Sequence, residues 1–163
     1  PTMKRIVLIL IVVGVLSVLL VLFTLIFTGG GYSKKSSLVA AYYEELAAMS
    51  EFTLEQRNSS PATRSLASTV KVSANSTLVF VSRLPGGSSS SESRSIADTN
   101  FEKNLATAAQ NNELNDTYAD YVEQLYKGLG TTLSSLAEED LDENAAAIVA
   151  QLSEDVDAVL SSL

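Results

Sequence analysis

Twenty-two consecutive residues, Ile6 to Phe27, carry no charge, and only Gly14, Ser17 and Thr24 interrupt their apolar side chains. A helix of that length is about 33 Å long, enough to cross a hydrocarbon layer of roughly 30 Å. A helix apolar on every side has no place on the surface of a water-soluble fold. The sequence therefore predicts one membrane helix over 6–28 joined to a polar domain. Residues 1–5 are expected to be a short cytoplasmic head. The run is longer than the apolar core of a cleaved signal, and Thr28-Gly29-Gly30-Gly31 matches a small-x-small cleavage site poorly, so an uncleaved signal anchor is expected. Within the helix over 6–28, Gly14 and Ser17, and Thr24 with Thr28, are the small residues suited to close helix packing in the membrane.

Charge divides the chain at the same place. Lys4 and Arg5 precede the apolar run, and Lys34 and Lys35 follow it. All 19 acidic residues lie beyond these, against seven basic ones from Arg57 onward, so residues 36–163 carry a formal charge of −12. That surface repels nucleic acid, and no nucleic acid partner is expected. With Tyr32, the four flanking cations suit the headgroup level of a lipid bilayer. The expected topology is single-pass, with the N-terminus in the cytoplasm and the C-terminal domain extracytoplasmic at the cell surface, because long polar domains translocate readily.

Gly29-Gly30-Gly31 ends the first helix, and 29–37 read as a Gly/Lys hinge. The domain that follows, 38–163, is long enough for one core. Ser36 or Ser37 can cap a helix to about Gln56, in which Leu38, Tyr42, Leu46 and Met49 recur at helical spacing and Val39, Tyr43 and Phe52 widen the stripe. Ser60-Pro61 reads as the next start, and 61–84 as a helix with Leu66, Val70, Leu78, Val81 and Leu84 inward. The rival for this stretch is a β-hairpin at 69–82 turning at Asn75-Ser76, since Val and Thr favour strands. Pro85 to Ser95 is Gly/Ser-rich and reads as a flexible loop. A helix from Asp98 or Thr99 carries Phe101, Leu105 and Ala108 inward and slips phase at Asn111-Asn112. A second stripe then runs through Tyr118, Val122 and Leu125 to Leu129, with Asp116 a candidate cap and Gly128 and Gly130 the end. Ser135-Leu136-Ala137-Glu138 resembles a capping box opening the last helix. Ala145, Ile148, Leu152, Val156, Val159 and Leu163 form its seam, with Leu141 ahead of them, for a partner helix in this chain or another. The fold class expected is all-α, an N-terminal transmembrane helix followed by a small helical bundle; the hairpin would make it α+β.

Chemistry is sparse. Cys and His are absent, which removes disulfides, thiolate nucleophiles, the commonest general base and the commonest transition-metal ligand. Asp140, Asp142 and Asn144 open like a calcium loop, but Ala145 stands where the turn needs Gly and Gln151 where a bidentate Glu is needed. Glu44-Glu45 and Glu154-Asp155-Asp157 read as solvated faces, and no Ser has an activating partner at a recognised spacing. No catalytic, cofactor or metal residues are expected, and no enzyme. Sequons stand at Asn58, Asn75 and Asn115.

The function expected is a non-enzymatic interaction or structural protein, a small subunit of a membrane-associated assembly, with protein partners or self-association through helices. A second expectation is a filament subunit, because an apolar N-terminal helix bearing a C-terminal domain resembles type IV pilin-like proteins in architecture. Those carry a Glu near the start of the apolar helix, whereas no acidic residue precedes Glu44 here. A third is the extracytoplasmic part of a sensor acting through a partner chain.

Overall fold

The computed structural model describes residues 32–97 and 100–162. The chain divides at Tyr32 into a first unit, of which Tyr32 alone is described, and a helical unit from Ser33 onward. The expected membrane helix over 6–28, the head at 1–5 and the glycines of the hinge lie outside the described residues. Among those described, no helix is long and apolar enough to cross a membrane.

All regular structure in the described residues is helical: α1 (32–55), α2 (Pro61–Val81), α3 (Ser91–Ala97), α4 (Phe101–Gln110), α5 (Leu114–Ala137) and α6 (Glu143–Ser162). The all-α reading holds. Stretch 69–82 is helix, not hairpin. Ser60 caps α2 by accepting from the Thr63 amide at 3.1 Å, and Pro61 fills the first turn. Thr63, Ala67, Val70, Ala74 and Val81 then face inward at helical spacing, so burial overrides the strand preference of Val and Thr.

α5 is the organising helix. Tyr118, Val122, Leu125, Leu129, Leu133 and Leu136 are all buried along it, and α2, α4 and α6 pack against it. It does not stop at Gly128 and Gly130 as their type suggests. Gly128 is there for space, since a Cβ at that position would fall 2.7 Å from the Tyr42 hydroxyl of α1. Because α5 runs on to Ala137, Ser135 begins nothing. α6 starts after Asp142, whose carboxylate accepts from the Ala145 amide at 2.8 Å. The D-x-D-x-N stretch is thus a helix start.

The break expected at 111–112 is real. Asn112 is left-handed (φ 61°), and the Glu113 amide donates back to the Ala108 carbonyl at 2.8 Å, the Schellman pattern with Asn in place of Gly. Asp116 caps nothing; it lies in the first turn of α5. Asp98 and Thr99 lie outside the described residues.

Two further expectations are corrected. Residues 32–37 are helical rather than part of a hinge, and Ser36 and Ser37 are buried within α1. The Gly/Ser stretch 85–95 is anchored. Ser37 Oγ accepts from the Ser90 amide at 3.0 Å and from Ser93 Oγ at 2.8 Å, and Ser89 and Arg94 both reach the Glu44 carboxylate. Serines that lack apolar surface can still satisfy one another, which composition alone does not register.

Candidate interaction surface

Polar groups inside the bundle serve its structure. Tyr118 is fully buried on α5, and its hydroxyl donates to Ser50 Oγ at 2.8 Å while Ser50 donates to the Leu46 carbonyl at 2.6 Å. Burial pushes the Tyr118 phenol up to about 12, with its hydrogen bond to Ser50 partly opposing the shift. Burial likewise raises Tyr43, with Tyr126 and the Asp155 carboxylate adding to the shift. Tyr126 is raised for the same first reason, with the nearby Ser73 hydroxyl opposing the shift and the Asp155 carboxylate adding to it. These three tyrosines form a buried core rather than an exposed recognition patch. Among the described residues no group of three acidic side chains converges on a possible metal position.

Lys35, expected at the headgroups, is engaged inside the helical unit. Its Nζ donates to the Ser135 carbonyl at 2.9 Å and pairs with Glu139, so a cation sits at the C-terminal end of α5 where the helix dipole favours it. Lys34 is exposed and Tyr32 half-buried, both on α1. Lys4, Arg5, Gly14, Ser17, Thr24 and Thr28 lie outside the described residues. In the predicted seam of α6, Ala145, Leu152 and Val156 are buried with Val149, which the heptad spacing omitted. Val159 is half-buried, and Leu163 lies outside the described residues.

Ile148 has another place. It is half-buried and lines a groove of about 350 Å³ between α2 and α6. One wall is Ser76, Thr77, Phe80 and Arg83; the other is Ala147, Ile148, Gln151, Leu152 and Asp155. Two shallower depressions are more polar: one has Glu102 and Lys103 beside Phe101, the other Glu44, Glu45 and Arg94 between α1 and α3. The groove lies beside an exposed apolar strip. Val72 and Val79 are 64% and 57% exposed and Phe80 is 50% exposed, all on α2. Ile96 is the other large apolar residue so exposed among those described. The Arg83 guanidinium lies 5.1 Å from the Phe80 ring centre and makes no ion pair within the described residues. The periodicity of 61–84 hid this strip because attention to the inward stripe leaves Val72 and Val79 unassigned; counting large apolar residues on the outward face would have found it.

Of the sequons, Asn58 donates to the Ala109 carbonyl at 2.6 Å, and Asn115 accepts from the Ser60 amide at 3.0 Å, together tying the α1–α2 turn to the α4–α5 turn. Asn75 is exposed on α2. No protein family matches this chain, nor does any curated protein or solved structure.

Proposed function

We propose that this chain is a single-pass membrane protein whose acidic helical domain lies outside the cytoplasm and works by contact with other proteins, as a small non-enzymatic subunit of a membrane-associated assembly. The observation that carries the reading is the uncharged run from Ile6 to Phe27, set against a following region with a formal charge of −12. Lys4, Arg5, Tyr32 and Lys34 are the residues assigned to the headgroup level. The exposed apolar strip of α2 supports a role in protein contacts, since an outward Val-Val-Phe surface beside an apolar groove suits a partner better than water.

Crosslinking and native mass spectrometry of gently solubilised membranes test this. The expected result is a defined complex that contains the chain. A lone monomer under those conditions contradicts it, and regular fibres in sheared surface material would move the reading to a pilin-like filament subunit.

A further inference from the structure

The groove between α2 and α6 has a charge at each end, and the directions of the helices place them there. α1 and α5 are antiparallel: Lys35 Nζ reaches the Ser135 carbonyl near one end of the pair, and Ser50 meets Tyr118 near the other. α2 runs back along α1, since Lys71 pairs with Glu51 at 3.1 Å and the turn at Gly86 lies against Ser33. α6 folds back along α5 after the loop at 138–142, bringing Val156 to Gly130. α2 and α6 are therefore antiparallel. One wall of the groove runs from Ser76 to Arg83 and the other from Ala147 to Asp155, so Arg83 closes one end and Asp155 the opposite end.

Neither charge is neutralised. Among the described residues Arg83 and Asp155 make no ion pair, with each other or with any other group. Both are nevertheless steadied by a neighbour. The Arg83 guanidinium lies 5.1 Å from the Phe80 ring centre, and Asp155 Oδ1 accepts from Gln151 Nε2 at 3.0 Å. Between the two charges the groove is mainly apolar, with Phe80, Ile148 and the buried Leu152.

We propose that this groove binds a short apolar peptide with both termini free, its carboxylate on Arg83 and its ammonium group on Asp155. Length and charge select that occupant. At helical rise, the stretches 76–83 and 147–155 make a groove about 10–12 Å long, and three extended residues span about 10 Å. A free amino acid is too short to reach both ends. A fatty acid answers Arg83 and leaves its tail against the Asp155 carboxylate. The inside of a longer chain brings no terminal charge to either end. In an extended tripeptide the first and third side chains point the same way, here the third onto Phe80 and Ile148 and the first toward Leu152. Thr77 and Gln151 line the groove between the ends and offer hydrogen bonds to the peptide groups. The groove volume of about 350 Å³ lies at the lower end of the range for small-ligand sites. The inference does not depend on membrane attachment: a released chain keeps the groove, and an anchored chain can lack the ligand.

Titration calorimetry of the full chain in lipid nanodiscs tests it, with the tripeptide Leu-Ala-Leu as the probe and its N-acetyl, C-amide and doubly blocked forms beside it. Wild type should bind the free tripeptide with a Kd of about 1 mM or tighter, and loss of either terminal charge should weaken binding about fivefold. Two variants separate the ends of the groove. Arg83→Gln should lose the preference for a free carboxylate and keep that for a free ammonium group. Asp155→Asn should do the reverse. Phe80→Ala should weaken all forms of the peptide, with an unchanged helical circular dichroism spectrum because the ring is half exposed. Absence of binding up to about 10 mM peptide overturns the proposal. So does equal binding of the free and doubly blocked peptides, which would make the groove a seat for a segment of a partner protein instead.

Discussion

The phenol of Tyr42 occupies the space that a side chain at position 128 would take. A Cβ on Gly128 would fall 2.7 Å from the Tyr42 hydroxyl oxygen and 2.8 Å from Cζ. Glycine inside a helix costs about 1 kcal/mol relative to alanine, so its presence midway along α5 is explained by the close approach of α1. Gly128→Ala should therefore destabilise the domain by about 1 kcal/mol, the crowding exceeding the gain in helix propensity. In a Tyr42→Ala background the same substitution should become stabilising by a similar amount. Urea denaturation of the four variants checks the reversal of sign.

The start of α6 offers a direct comparison. Asp142 accepts from the Ala145 amide and holds the N-cap, while Ser135 lies within α5. Asp142→Ala should cost about 1 kcal/mol, and Ser135→Ala should stay within about 0.5 kcal/mol of wild type. Equal losses at the two positions would place the helix start wrongly. Thermal denaturation followed by circular dichroism distinguishes the outcomes.

The serine stretch is held to α1 chiefly through Ser37, which accepts two hydrogen bonds from it. Ser37→Ala leaves the Ser90 amide and the Ser93 hydroxyl without that acceptor, at a cost of about 1–2 kcal/mol. Cleavage by a broad-specificity protease within 85–95 should speed up while the rest of the domain stays resistant. Wild-type cleavage as fast as the variant's would contradict the anchored arrangement.

Buried tyrosines set the alkaline limit. A phenol raised in the fold keeps its proton where the unfolded chain loses it. The stability it contributes is fully present below pH 10 and is lost as pH rises from 10 through the folded value, about 12 for Tyr118. Melting temperature should be flat between about pH 7 and 9 and fall above 10. The 295 nm tyrosinate absorbance of Tyr43, Tyr118 and Tyr126 should develop together with unfolding. Tyr118→Phe should reduce the alkaline slope and cost about 1 kcal/mol at neutral pH, through loss of its bond to Ser50.

Helix existence was legible wherever apolar residues recur in phase: the stripe through Leu46 and Met49, the Ser60-Pro61 start, and the slip at Asn111-Asn112. What was not legible depends on partners remote in sequence. Gly128 and Gly130 carry the composition of a helix stop, and only the proximity of Tyr42 explains why α5 passes through the first of them. Ser135 and Asp142 both match start signals, and the choice between them rests on how far α5 remains covered. Serines at 89, 90 and 93 look featureless until Ser37 and Glu44 face them. The outward Val72, Val79 and Phe80 were visible as residues, but their exposure follows from which face of α2 the bundle buries.

The central claim is that an acidic helical domain is held at a membrane by the run from Ile6 to Phe27. Alkaline carbonate extraction of membranes from cells making the full chain addresses it most directly. The account predicts that the chain stays in the membrane pellet and that detergent releases it. Recovery of the intact chain in the carbonate supernatant, or of a mature product that begins after Phe27, would contradict it.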